Sequence, residues 1–199
     1  MARPREVTDE QIVAVARRCF LARGAGISAA EIAKELGVSH TTLFNRFGSK
    51  QALLIAALGP PERIPWVAAL EAGPDERPLR DQLVEHAGVI ARYFQTLQEG
   101  LSVLRAAGAE AEAVSGCKGK SPAQAFQALT DWLRRAQEAG RLGRCDVEVL
   151  ASTILGALHT QSFVVRVCTA DESAEVCAGH VERFVDLLWN GVRPNTPTA

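Results

Sequence analysis

Five polar residues lie close together after a glycine, at spacings that place them on the outward side of one helix. They are His40, Thr41, Thr42, Asn45 and Arg46. Each side chain can form hydrogen bonds, and a hydroxyl, amide or guanidinium group on a helix surface can bind the base edges or phosphates of a DNA duplex. The chemistry that this segment can perform is therefore recognition by hydrogen bonding.

A helix-turn-helix hairpin would hold these side chains in place. Such a hairpin needs apolar contacts on both helices, a small residue where they cross, and a turn residue that can adopt a positive φ. Ala33 is the small residue and Gly37 the turn residue. The apolar positions are Ile32, Leu36, Val38 and Leu43. This spacing favours DNA binding, and an ordinary αα-hairpin with a glycine turn stays open as the alternative.

Capping signals divide the first 58 residues into four helices. Thr8–Gln11 and Ser28–Glu31 are capping boxes, in which a hydroxyl and a carboxamide or carboxylate satisfy backbone N–H groups at a helix start. Serines cap the third and fourth helices in the same way. The four predicted helices begin after Thr8, Ser28, Ser39 and Ser49, and they end at Gly24, Gly37, Gly48 and Gly59.

The rest of the chain also has helical periodicity. Prolines and glycines over residues 59–78 indicate a connection, with a helical turn or two around residues 66–70. The pattern then predicts helices over residues 79–98, 101–114, 122–139, 146–166 and 171–189, with a loop at 115–120 and Ser121 as a third N-cap. Alternating strand patterns are scarce. We predict an all-α fold, with a DNA-binding head at 1–58 and a body at 59–199.

Composition excludes several classes of protein. The chain has 199 residues, enough for a buried core. The first 50 residues carry 8 basic and 5 acidic side chains, against 14 and 18 in the rest, so the head is the part expected to meet a polyanion. Five cysteines without a Cys-x-x-Cys pair argue against a disulfide framework or zinc site and suit a cytoplasmic protein. No apolar run reaches the ~20 residues of a membrane span.

Motifs for catalysis are missing from the sequence. The four histidines do not form a His-Glu-x-x-His pattern, and there is no P-loop, no Gly-x-Ser-x-Gly and no dinucleotide-binding glycine run. We therefore expect no enzymatic activity, no cofactor and no bound metal.

Residues 27–54, ISAAEIAKELGVSHTTLFNRFGSKQALL, closely resemble the amino-terminal pattern of the TetR family of bacterial transcriptional repressors. The match extends over about residues 8–58 and includes the Ser-Lys pair that opens the fourth helix. Three features depart from the family pattern. Phe44 replaces the usual tyrosine, Arg46 replaces the usual histidine, and Ala29 and Ala30 open the second helix where some members carry polar groups.

The resemblance implies that the third helix enters the major groove of DNA. His40, Thr41 and Asn45 are then expected at base edges. The remaining predicted DNA-binding residues, which would touch phosphate or flank the groove, are Ser28, Ser39, Thr42, Phe44, Arg46 and Lys50. Arg3 and Arg5 are expected either in a minor-groove arm or in a solvated tail.

The resemblance further implies a homodimeric repressor that binds a palindromic operator and is released by a small molecule. The predicted effector-pocket residues are Tyr93, Phe94, Leu97, Phe126, Trp132, His159, Gln161 and Phe163. The predicted dimer-interface residues are Leu158, Val176, His180, Phe184, Leu187 and Leu188. Aromatic residues at this spacing are also common in plain cores. A TetR-like ligand-binding or adaptor protein that has lost operator binding is the alternative function.

Overall fold

We describe the protein from a computed structural model, which covers residues 7–111, 113, 120–168 and 174–192. Over those residues the regular structure is helical and contains no strand, which confirms the predicted all-α class. The helices are α1 (Asp9–Arg23), α2 (Ala29–Leu36), α3 (His40–Phe47), α4 (Lys50–Leu58), α5 (Val67–Glu71), α6 (Leu79–Ala106), α7 (Lys120–Glu138), α8 (Val147–Cys168) and α9 (Ala174–Val192).

The chain forms two compact units. The first contains residues 1–61 and 97–118, and the second contains residues 62–96 and 119–199. Helix α6 contributes residues 79–96 to the second unit and residues 97–106 to the first. The first unit thus includes the segment predicted as the head together with a segment that the sequence pattern assigns to the body.

The predicted helix starts of the first unit are confirmed. Thr8 and Ser28 accept hydrogen bonds from the backbone N–H groups of Gln11 and Glu31, and both capping boxes are complete. Ser39 and Ser49 cap α3 and α4 with their hydroxyl oxygens. Because each cap satisfies N–H groups that have no partner inside the helix, the four short helices begin at defined residues.

The predicted end of the long helix near Gln98 is wrong, since α6 continues without a break to Ala106. Gly100 lies inside the helix, against the end of α4. A Cβ atom added to Gly100 would lie 2.3 Å from the carbonyl oxygen of Leu58, so the missing side chain serves close packing. The helix ends instead before Gly108, which has φ +70°.

The predicted starts of the last three helices have different outcomes. Ser121 was expected as an N-cap, but α7 already includes Lys120, so Ser121 lies in the first turn, where Pro122 is also tolerated. The predicted start of the last helix at Asp171 and the predicted loop at 115–119 lie outside the described residues. The predicted start of α8 is confirmed, because the Asp146 carboxylate accepts hydrogen bonds from the N–H groups of Glu148 and Val149.

Each unit has its own hydrophobic core. The large side chains that are fully buried in the first unit are Ile12, Phe20, Ile32, Leu53, Leu58 and Leu104. Those of the second unit are Leu70, Ile90, Leu129, Trp132, Leu133 and Leu158. Among the described residues, no helix has both the length and the apolar character that crossing a membrane requires.

Candidate nucleic-acid interface

The hairpin of α2 and α3 has the geometry that its residue types predict. Gly37 ends α2 in the left-handed conformation, with φ +71° and ψ +26°, which favours glycine. Val38 then donates its N–H to the carbonyl of Ala33 at 3.0 Å. Ile32 and Leu43 are buried in the same core, so the two helices are held together by the predicted apolar contacts.

The first turn of α3 is fixed by two hydroxyl groups. Ser39 Oγ accepts a hydrogen bond from the Thr42 backbone N–H at 3.1 Å, and it lies 2.8 Å from Thr42 Oγ1. The two predicted phosphate contacts Ser39 and Thr42 therefore bind each other in this structure. Their mutual bond, together with the backbone cap, stabilises the first turn of α3.

One face of α3 is open to solvent. Thr41 and Asn45 are exposed and lie one helical turn apart, so they share this face. Within the part of the chain that the structure describes, neither side chain makes a hydrogen bond. The rings of His40 and Phe44 are in contact, with centroids 4.4 Å apart and planes tilted by 49°, and Phe44 is 38% exposed. The exposed surface of α3 therefore carries the Asn45 amide and the Thr41 hydroxyl next to two aromatic rings.

Arg46 lies at the end of α3 but points to the start of α1. Its Nη1 donates hydrogen bonds to the carbonyl oxygen of Val7 and to Asp9 Oδ1, the latter at 3.0 Å. Nothing in the local sequence signals this pairing, because Asp9 is 37 residues away. The predicted phosphate contact Arg46 therefore has an acidic partner within the unit.

Lys50 and Ser28 lie near a second carboxylate. Ser28 Oγ donates to Glu31 Oε2 at 2.7 Å, and its backbone N–H also binds this carboxylate. The two hydrogen bonds from Ser28 hold the pKa of Glu31 below its ordinary value, with smaller contributions from the positive charges of Arg23 and Lys50. The hydroxyl of Ser28 is committed to Glu31, while Lys50 stands in the first turn of α4, where a helix favours anions.

The end of α4 is held by residues that the sequence analysis does not single out as functional. Arg17 Nη1 donates to the carbonyl of Ala57 at 2.9 Å, which satisfies a carbonyl in the last turn of the helix. Burial of the Arg17 guanidinium lowers its pKa, and the nearby charge of Glu99 opposes that shift. Together with the close approach of Gly100 to Leu58, these contacts fix α4 within the first unit.

Four aromatic side chains form a continuous series in the second unit. Trp66 meets Tyr93 edge to face at 6.1 Å, Tyr93 meets Phe94 at 5.6 Å, and Phe94 meets His159 at 5.1 Å between ring centroids. Three of these residues belong to the predicted effector pocket, so the structure brings that part of the predicted set together. Trp66 also belongs to the series, although it is not among the predicted pocket residues.

The other predicted effector residues are not gathered in one place. Trp132 is fully buried in the core, whereas Phe163 is 47% exposed. Phe126 packs against the core of the second unit, and Leu97 belongs to the first unit. Gln161 is half-buried. These positions agree with ordinary helix packing at least as well as with a binding pocket.

A narrow apolar cavity of about 20 Å³ lies in the second unit, lined by residues of α6, α7, α8 and α9. None of the eight predicted effector residues lines it. His86 does, and its ring meets Trp132 edge to face at 5.1 Å. Burial lowers the pKa of His86, so the neutral imidazole is favoured in this apolar setting. The cavity volume is about that of one water molecule, but the lining offers too few polar partners to hold one.

The predicted dimer residues lie partly in the core and partly at the surface of the second unit. Leu158 is 1% exposed and belongs to the core of its own chain. Leu188 packs against the same core, while Leu187 is 73% exposed. The others are His180 and Phe184, both half-buried, and Val176, whose side chain lies outside the described residues.

Groups of three or more histidine, cysteine, aspartate or glutamate side chains that could hold a metal ion do not occur among the described residues. Together, the two-helix hairpin, its capped third helix and the solvent-exposed polar face define a helix-turn-helix architecture of the DNA-binding kind.

Comparison with known families identifies the class more closely. Residues 12–57 match the model of bacterial regulatory proteins of the tetR family, and residues 87–189 match that of the AefR-like transcriptional repressor C-terminal domain. The chain belongs to the TetR family and is a DNA-binding transcriptional regulator. Comparison with curated protein sequences gives no match.

Solved structures share the fold. A TetR-family regulator from Mesorhizobium loti is 16% identical, with a TM-score of 0.69 over 93% of this chain and 96% of that one. A TetR regulator from Streptomyces coelicolor is 24% identical, with a TM-score of 0.63 over 95% and 100%. A transcriptional regulator from Saccharomonospora viridis, solved in complex with choline, is 22% identical, with a TM-score of 0.63 over 89% and 94%.

Proposed function

We propose that the protein is a homodimeric repressor that binds a palindromic operator and is released by a small-molecule effector. The observation that carries the proposal is the exposed face of α3, where Thr41 and Asn45 lie one turn apart with no hydrogen bond to a described residue. Polar groups that lack an internal partner on a recognition helix are available for base edges. The match of residues 87–189 to a repressor family supports repression as the output.

On the DNA, Asn45 would bind N6 and N7 of adenine through its amide, and the Thr41 methyl group would meet a thymine methyl. His40, whose ring contacts that of Phe44, would line the same groove. Lys50 would contact phosphate from the first turn of α4, where its charge adds to the helix dipole. Ser39 and Thr42 would flank the groove. In this arrangement, the bases are recognised mainly by neutral side chains, and few side chains contact the phosphates.

A TetR-like adaptor that has lost operator binding is the alternative function. Two observations favour it over a standard regulator. Arg46 is paired with Asp9, and the Ser28 hydroxyl is bound to Glu31, so two predicted phosphate contacts have carboxylate partners within the chain. Fewer free cations lower the sequence-independent part of DNA affinity.

Binding to duplex DNA separates the two functions. For the repressor, fluorescence anisotropy with a random duplex should give an affinity that falls steeply as salt rises. Selection from a randomised duplex pool should then enrich a palindrome, since two-fold protein symmetry is matched by the operator. A chain that is folded and shows no salt-dependent binding at low ionic strength would instead be an adaptor.

Dimerisation would join the last two helices of two chains. Leu187 on α9 is 73% exposed, and burying it against a partner chain would contribute roughly 1.5–3 kcal/mol to association. Phe163 and Val164 on α8 are further large apolar side chains with more than two fifths of their surface exposed. Closed two-fold dimers are the commonest oligomers and would cover such surfaces.

Replacing Leu187 by glutamate is expected to convert the dimer to a monomer, since two buried carboxylates would face each other across the two-fold axis. Sedimentation velocity should show the mass fall by half. Leu21→Glu, which introduces the same charge at an exposed leucine of the first unit, is the matched control and should remain dimeric. A monomeric wild-type chain would contradict the proposed dimer.

The effector would bind at the aromatic series of Trp66, Tyr93, Phe94 and His159. Aromatic faces attract quaternary ammonium groups, and the similar protein from Saccharomonospora viridis was solved with choline, so choline is a sensible first probe. A bound effector should lower operator affinity by about 5- to 150-fold, the usual range of allosteric coupling. Titration of a compound panel against the protein–operator complex measures this loss.

The Phe94→Leu variant tests the location. It removes an aromatic face but keeps apolar volume, so it should lose the response to effector while binding the operator with unchanged affinity. If no compound of a broad panel changes operator affinity, release by an effector is contradicted.

A further inference from the structure

Arg46 links two helix ends that are far apart in the sequence. It is the last but one residue of α3, and its Nη1 donates to the Val7 carbonyl oxygen and to Asp9 Oδ1. Asp9 is the first residue of α1, and Val7 precedes the N-cap of that helix. The Arg46 side chain therefore ties the last turn of α3 to the beginning of α1.

The ion pair also changes what Arg46 can offer to DNA. The Arg46 side chain is 33% exposed, and its Nη1 lies 3.0 Å from Oδ1 of Asp9, whose side chain is 64% exposed. The Asp9 carboxylate and the Val7 carbonyl take up Nη1, so a phosphate could reach only the Nε and Nη2 donors, beside a negative charge that already offsets that of Arg46. Because a positive charge paired with a carboxylate releases fewer counterions, Arg46 is poorly placed as a phosphate ligand.

Helix α3 has only eight residues and needs to be held along its whole length. Ser39 fixes its first turn, and Leu43 anchors its middle in the core. Arg46 supplies a third attachment, at the end that follows Asn45. Side chains that read a partner by hydrogen bonds need to be held within ~0.5 Å by the residues around them.

We propose that Arg46 is a positioning residue of the DNA-binding site: with Asp9 and the Val7 carbonyl it fixes the last turn of α3, and so sets how Asn45 and Thr41 meet the bases. This inference rests on the proposed operator binding. It assigns to Arg46 a role in specificity that differs from the phosphate contact which the sequence predicts.

The test compares Asp9→Asn, Arg46→Gln and the double variant by anisotropy, on the selected operator and on a random duplex, over a range of salt concentrations. Glu10→Gln is the matched control, because it removes the same charge from the same turn of α1 at a residue that does not pair with Arg46. Thermal unfolding by circular dichroism verifies that each variant is folded.

If Asp9 and Arg46 position α3 together, replacing both residues should weaken binding no more than replacing either one. Each single variant and the double variant should bind the operator about five-fold more weakly than wild type, without additivity. The double variant, whose net charge equals that of wild type, should keep the salt slope on both duplexes. Glu10→Gln should bind slightly more tightly, since it only removes a negative charge.

Opposite results would overturn the inference. If Arg46 binds phosphate, Asp9→Asn tightens binding because it frees the guanidinium, and the double variant lowers the salt slope by about one. Those outcomes leave operator binding intact, so the assignment of Arg46 fails alone. If the wild-type chain binds neither duplex, the proposed function fails, and the positioning role fails with it.

Discussion

Replacing Asn45 by alanine is expected to lower affinity for the selected operator by about 10- to 100-fold, which equals about 1–3 kcal/mol for one bidentate base contact. The exposed amide of Asn45 has no hydrogen-bond partner among the described residues, so its removal leaves no unsatisfied group inside the protein. Affinity for a random duplex should stay nearly unchanged. Anisotropy titrations against both duplexes measure the two effects.

Lys50→Gln is the matched comparison for Asn45→Ala. Lys50 stands at the start of α4, where a phosphate contact carries no sequence information. Its loss should weaken binding to both duplexes by the same factor and lower the salt slope by about one. The assignment of Asn45 to a base and Lys50 to a phosphate is refuted if both variants give the same pattern, that is, if each one weakens binding to the operator and to the random duplex by equal factors.

Much of the first unit can be predicted from short-range signals. A hydroxyl at Ser28 or Ser39 can satisfy only the N–H groups that immediately follow it, so the position of the residue determines where the helix begins. Gly37 likewise marks the turn, because its positive φ disfavours other residues. Interactions between residues within four positions of each other can therefore be predicted from the sequence, and they determine where α2 and α3 begin and where the turn between them lies.

Contacts between distant residues could not be predicted in this way. Arg46 and Asp9 are separated by 37 residues, and no local pattern distinguishes an arginine that binds a carboxylate from one that awaits a phosphate. Gly100 is the same kind of case. A glycine inside a helical pattern predicts a break when only propensity is considered, whereas close approach of another backbone explains it in the fold.

In the second unit, the sequence pattern cannot distinguish core residues from ligand-binding residues. Helical spacing identifies which aromatic residues face inward, but core packing and ligand binding require the same pattern. Trp132 and Phe94 therefore looked equivalent in the sequence. The structure separates them, since Trp132 is fully buried and Phe94 lies in the series that ends at His159.

Replacing Gly100 by alanine is expected to destabilise the first unit by roughly 2 kcal/mol. The new Cβ atom would lie 2.3 Å from the Leu58 carbonyl oxygen and 3.1 Å from its carbon, and a backbone group cannot rotate away as a side chain can. Overlap of this kind costs up to about 3 kcal/mol, from which the better helix propensity of alanine subtracts about 1 kcal/mol. Hydrogen exchange of α1–α4 amides measures the loss.

Gly88→Ala provides a control in the same helix. Its Cβ would meet only the end of the Arg92 side chain, at 3.5 Å, so the variant should stabilise α6 by about 1 kcal/mol. The two substitutions are chemically identical and should have opposite signs. Equal effects would mean that the approach of Gly100 to Leu58 does not hold α4.

The Gly100 variant also tests the proposed release by an effector, because α4 carries Lys50 at one end and the Leu58 carbonyl at the other. Arg17 binds the Ala57 carbonyl from α1, while Gly100 packs on the next residue from α6. Because no space separates Gly100 from Leu58, a shift of this part of α6 would displace α4. Gly100→Ala, which forces such a shift without ligand, should weaken operator binding at temperatures where the chain is still folded. Unchanged operator affinity in a folded Gly100→Ala protein would contradict transmission through α4.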